Sequence, residues 1–174
     1  MYKKNFQWVL IIAAMAFIIA ACSSQKDKMN NEIADLEKVL RNDSSGQLIV
    51  SKGNELSEKY IAFSRANAHD SLAPEYLLRA AKVYMNIHRA EDAVNLLDTL
   101  MQKYPSFKNL SECLFLQAFI CENSLGQLGR AKDKYFEFLQ KYPESEFADD
   151  AKAAIELLGK SPEEIVKGFE TKKK

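Results

Sequence analysis

Glycine and proline are scarce in this chain, six and four among 174 residues. Hairpin-rich β folds and Pro/Gly-rich disordered chains both need more turn residues, so the shortage excludes them and leaves a helical composition. Neither sign of charge is in excess, with 24 Lys+Arg against 24 Asp+Glu. The electrostatic footprint of a nucleic-acid binder is therefore missing. There are two histidines, His69 and His88, separated by a whole helical pattern. Neither shares a cysteine or carboxylate at metal-ligand spacing. The sequence holds no HExxH, phosphate loop, dinucleotide fingerprint or GxSxG. Asp149-Asp150 is a carboxylate pair, but adjacent helical residues point apart. Glu91-Asp92 reads as a first-turn complement to a helix dipole. Composition and motifs thus predict no enzyme, no cofactor, no metal, no nucleic acid and no small-molecule substrate.

What is present begins at the N-terminus. Lys3 and Lys4 form a positive start, Trp8 to Ala21 is an unbroken apolar run, and Ile19-Ala20-Ala21-Cys22 leads small residues into a cysteine. A charged start, a short apolar stretch and a small-residue cleavage site make a secretory signal peptide. The run is short of the ~20 apolar residues that a bilayer crossing needs. The segment resembles a bacterial lipoprotein lipobox. That resemblance implies cleavage before Cys22, a diacylglycerol thioether on its sulfur and an acylated amine. It implies a membrane partner reached through the N-terminal lipid. Ser23 is not the aspartate that retains lipoproteins at the inner membrane, and Ser23-Ser24-Gln25-Lys26 lacks an acidic export run. The analogy therefore implies an outer-membrane lipoprotein facing the periplasm. About 150 residues would remain, enough for one core.

The second half repeats. Gln102-Lys103-Tyr104-Pro105 and Gln140-Lys141-Tyr142-Pro143 are 38 residues apart. At the same offset Ala80 aligns with Ala118, Ala93 with Ala131, Leu97 with Tyr135 and Leu100 with Phe138. A shared tetrapeptide with a matched apolar register is an internal repeat. Each unit reads as two helices. Leu77, Ala80, Ala81 and Tyr84 lead through a turn near Asn86–Arg89 to Ala93, Leu97 and Leu100. Phe115, Ala118 and Phe119 lead through a turn near Gly126–Gly129 to Ala131, Tyr135 and Phe138. Upstream, Ile33, Leu36 and Leu40 give one amphipathic helix and Ile49, Leu56, Tyr60 and Phe63 another, separated by Asn42–Gly46. Downstream, Ser145 is placed to cap a helix over 146–158 that Gly159 stops. Ser161-Pro162-Glu163-Glu164 reads as a capping box for a last short helix reaching about Phe169.

The residues Ala81, Tyr84, Ala93, Leu97, Leu100 and Pro105, matched again at Ala131, Tyr135, Phe138 and Pro143, resemble the tetratricopeptide repeat. The ending Tyr142-Pro143-Glu144-Ser145, followed by Phe147-Ala148-Asp149-Asp150-Ala151, is similar to that of bacterial-envelope tetratricopeptide proteins of the BamD and CpoB type. Leu158-Gly159-Lys160-Ser161-Pro162-Glu163-Glu164 resembles small repeat lipoproteins of Bacteroidota. The expected fold is all-α, a TPR-like α-solenoid of about four helical hairpins. The expected division is a signal peptide 1–21, a lipidated tether 22–28, a degenerate hairpin 29–70, repeats 71–107 and 108–144, a capping hairpin 145–170 and a basic tail 171–174. The function implied is a lipid-anchored periplasmic scaffold that binds an envelope protein, in outer-membrane assembly or envelope maintenance.

In that family the first helix of each hairpin lines the concave face. The outward side would show Glu75, Leu78, Lys82, Met85 and Asn86 in one unit, and Cys113, Leu116, Ile120, Asn123 and Ser124 in the next. Leu78, Met85, Leu116 and Ile120 are apolar enough to suggest a groove for a partner's helix or extended peptide. The competing expectation is that a terminal helix folds over them. Two rival functions stay open: an envelope enzyme or ligand-binding protein with an unrecognised site, and a self-associating structural subunit. Cys113 and Cys121 lie eight residues apart on one helix, ~12 Å by helix rise, too far to pair. Glu122 falls on the buried stripe and is expected to meet Tyr135, Arg130 or Lys134.

Overall fold

The structure, a computed structural model, describes residues 25–42, 49–161 and 163–164. The expected signal peptide 1–21, Cys22, the Asp43–Gly46 part of the first connection, Phe169 and the lysine tail lie outside the described residues. Among those residues there are seven helices and no strand. They are α1 (25–42), α2 (Ile49–Ala66), α3 (Leu72–Asn86), α4 (Ala90–Lys103), α5 (Leu110–Asn123), α6 (Leu128–Lys141) and α7 (Ala148–Leu157). The all-α expectation holds. None of these helices is long and apolar enough to cross a membrane.

The chain divides into two compact units, Met1–Tyr76 and Leu77–Lys174. In the first unit Leu56, Tyr60 and Phe63, at helical spacing on α2, are all at most 3% exposed. The Tyr76 ring packs on two of them, centroids 5.0 Å from Tyr60 and 4.8 Å, edge-on, from Phe63. Ser64 Oγ donates to the Ala73 carbonyl at 2.6 Å, fastening the start of α3 to α2. Helix α1 buries Ile33 and Leu36 and is tied down by polar pairs (Glu32–Lys59, Glu37–Tyr60, Asn30–Tyr76, Lys26–Asp70). Residues 25–28, expected as tether, are helical. Gln25, Lys26 and Lys28 are good helix formers, and Asp70 holds Lys26 in place.

The second unit carries the repeat as geometry. Helices α3 and α5 start 38 residues apart, as do α4 and α6. Helices α4 and α6 are both 14 residues and end alike, with Tyr104 N donating to Leu100 O and Tyr142 N to Phe138 O. Both tyrosines precede a proline, which disfavours the α conformation in the residue before it. The turn position at offset 38 is also shared: His88 has φ 63° and Gly126 φ 64°. After α3 the turn is a Schellman motif, with Arg89 N donating to Tyr84 O at 2.8 Å and His88 N to Met85 O at 3.3 Å.

Consecutive helices pack in order, α4 on α5, α5 on α6 and α6 on α7, the α-solenoid-like arrangement that the repeat implies. Helix α4 buries one stripe, Ala90, Ala93, Val94, Leu97 and Leu100; α6 buries Ala131, Tyr135 and Phe138. Ala93 and Ala131 are both 0% exposed. Phe115 fills the space beyond them, 5.6 Å from Phe138, 5.8 Å from Tyr135 and stacked at 4.9 Å on Phe147. That stacking explains a late start for α7. Phe147 holds the N-cap position without a side-chain cap, and Ser145 Oγ accepts only a long 3.4 Å bond from its amide. Gly159, φ 77°, stops α7 as expected. The capping box also forms: Ser161 N donates to Glu164 Oε2 at 2.8 Å and Glu164 N to Ser161 Oγ at 3.2 Å.

Candidate functional site

Helix α5 is apolar around most of its circumference, and it lies against both α4 and α6. The arc it turns inward is Cys113, Leu114, Gln117, Ala118, Ile120 and Cys121. Directly opposite that arc stands Phe119, 40% exposed. Leu116, half-buried, and Asn123, exposed, share the outward face with it at i, i+3 and i+7 spacing. Asn123 Nδ2 bonds back to the Phe119 carbonyl at 3.1 Å. Lys82 of α3 reaches this face through an ion pair with Glu112 Oε1 at 2.5 Å. Met85, one turn further along α3, is half-buried and Asn86 is exposed.

The expected groove is thus only partly an open surface. Leu78 is 1% and Ile120 0% exposed, so neither can offer a side chain to a partner. Both belong to the core, and so does Cys113. The correction has one cause on α5. Its buried stripe is rotated from the expected Phe115–Ala118–Phe119 line toward Cys113–Gln117–Cys121, because α5 must feed two neighbours rather than one. The same rotation moves Phe119 outward. Glu75 is half-buried in the first turn of α3, where its charge complements the dipole. Lys82, Met85, Leu116 and Asn123 keep at least part of their surface. Cys22 lies outside the described residues.

Beneath the face runs a polar layer, only part of which follows from the sequence pattern. Glu122 is tied as expected: Tyr135 Oη donates to its Oε2 at 2.8 Å, linking α5 to α6. Burial, reinforced by the carboxylate, raises the Tyr135 phenol above its ordinary range, so it stays a donor at any physiological pH. Gln117, 0% exposed, was not anticipated. Its Nε2 donates to the Val94 carbonyl at 3.1 Å and to Asp98 Oδ1 at 2.7 Å. Lys134 stands 3.7 Å from the same carboxylate oxygen, so Asp98 joins α4, α5 and α6. The only sequence signal was a glutamine inside the run Cys113–Ile120. At the turn, Glu91 accepts from Gln127 at 3.0 Å and Arg130 at 3.3 Å. Such exposed pairs contribute little individually.

Among the described residues no group of three or more His, Cys, Asp and Glu side chains is placed to hold a metal. Cys113 and Cys121 are both buried, and no disulfide joins them. Burial pushes the Cys121 thiol up, away from the reactive thiolate. No protein-family model matches the chain, and no curated protein matches it.

Proposed function

We propose that this chain is a lipid-anchored protein-interaction scaffold of the bacterial envelope, built on tetratricopeptide-like hairpins and carried on the periplasmic face of the outer membrane. The anchor rests on Lys3-Lys4, the Trp8–Ala21 run and Cys22. The binding role rests on one observation above all: Phe119 is 40% exposed on the face opposite the core side of α5. A phenylalanine exposed to this degree forgoes part of the ~1.5–3 kcal/mol that full burial contributes, and aromatic residues are enriched among binding anchors at interfaces. Its surroundings suit a peptide or helix: Leu116 extends the apolar strip, while Glu112, Lys82 and Asn123 give polar edges. Confinement to a membrane would raise the local concentration of a weakly held partner.

The test is photo-crosslinking in living cells, with a photoreactive phenylalanine at position 119 or at position 136. Phe136, 45% exposed on α6, is an equally exposed aromatic on another helix. The expected result is one defined protein adduct from position 119 and none from 136. No adduct at 119, or the same adducts at both, would contradict the reading.

A further inference from the structure

Helix α1 is formed at residue 25, the first described residue, three peptide units after Cys22. Successive Cα atoms are ~3.8 Å apart, so residue 25 lies within ~11 Å of Cys22 by any path. The first turn of α1 is fixed in turn to the α2–α3 connection. Lys26 pairs with Asp70, and Asp70 Oδ1 accepts from the Leu72 amide at 2.9 Å. Further along, Tyr76 Oη donates to Asn30 at 3.0 Å and Lys59 lies 2.5 Å from Glu32. The position of Cys22 therefore sets the position of the 67–71 turn. Helix α2 runs back from that turn, and Val50 at its far end is ~24 Å from Ala66 by helix rise.

We propose that, once Cys22 is acylated, the first turn of α1 and the 67–71 turn lie against the headgroups of the bilayer holding the anchor, with α2 directed away from it. The proposal rests on the lipidation reading of Cys22 and adds an orientation to it. Charge is compatible with that end: Lys26, Lys28 and Arg65 outnumber Asp27 and Asp70. They would sit within about one Debye length of anionic headgroups, ~8 Å at physiological salt. The outward side of α1 mixes Asp27, Lys28, Asp35, Lys38 and Arg41. It has neither the cationic stripe nor the apolar face that would lay the helix flat on a membrane.

The sole tryptophan, Trp8, precedes Cys22, so the processed chain would contain none. Full-length His69→Trp and Val50→Trp variants, both at exposed positions, would be purified from membranes. They would be reconstituted in phosphatidylethanolamine–phosphatidylglycerol vesicles containing a dansyl-headgroup lipid. Energy transfer should be several-fold greater from position 69 than from position 50. Inserting a flexible Gly-Ser spacer of about twelve residues after Ser24 should abolish the difference. Equal transfer from both positions, or a difference that survives the spacer, would overturn the orientation. Intact mass of the same samples separates the two failures. An unacylated Cys22 overturns the lipidation reading and the orientation with it, whereas an acylated Cys22 with equal transfer overturns the orientation alone.

Discussion

Glu122 and Phe119 sit three residues apart on α5, and the sequence pattern handled them with opposite success. Both were read on the buried stripe. Glu122 is half-buried and held by Tyr135, because a carboxylate near a core must find a donor and few were in reach. Phe119 is exposed, because hydrophobicity alone cannot say which of many apolar residues on an all-apolar helix turns outward. The same ambiguity hid the burial of Leu78 and Ile120. Removing the tie should be costly: Glu122→Ala leaves the hydroxyl of Tyr135, a residue 1% exposed, without this acceptor and should destabilise the protein by ~1–3 kcal/mol. Urea unfolding of wild type and variant measures it. A midpoint unchanged from wild type would show that the bond contributes nothing.

At the scale of elements, much was legible. The 38-residue repeat in sequence is a 38-residue repeat in helix starts. Proline and glycine placed the ends of α4, α6 and α7, and the Ser161–Glu164 capping box forms as read. Two boundaries were not legible. Helix α1 is already formed at residue 25, the first described residue and four before the expected hairpin start at Met29, because a tertiary partner, Asp70, holds Lys26 in place. Helix α7 starts two residues late because Phe147 is held by the Phe115 ring. The shared turn gives a test of the repeat. His88 adopts the left-handed conformation at the position where the second repeat has Gly126. A side chain there costs ~1–2 kcal/mol. His88→Gly should raise stability by up to ~1 kcal/mol, and Gly126→Ala should lower it by ~1–2 kcal/mol. Thermal unfolding reads both, and a destabilised His88→Gly would mean that the imidazole makes a compensating contact.

The whole molecule joins two kinds of information that reach the chain by different routes. The helical fold is written in periodicity and turn residues, and physical packing fixes it. The proposed location rests on the short N-terminal segment Lys3 to Cys22, which no packing argument can reproduce. The partner is written in neither, since an exposed phenylalanine states that a surface is sticky without stating for what. The proposed anchor is tested most directly by the intact mass of the chain extracted from membranes of its native host. The predicted result is a chain beginning at Cys22 with the added mass of a diacylglycerol thioether and an N-acyl group, lost from the membrane fraction in Cys22→Ser. A membrane-extracted chain that still carries Met1, or is cut elsewhere with Cys22 unmodified, would contradict it.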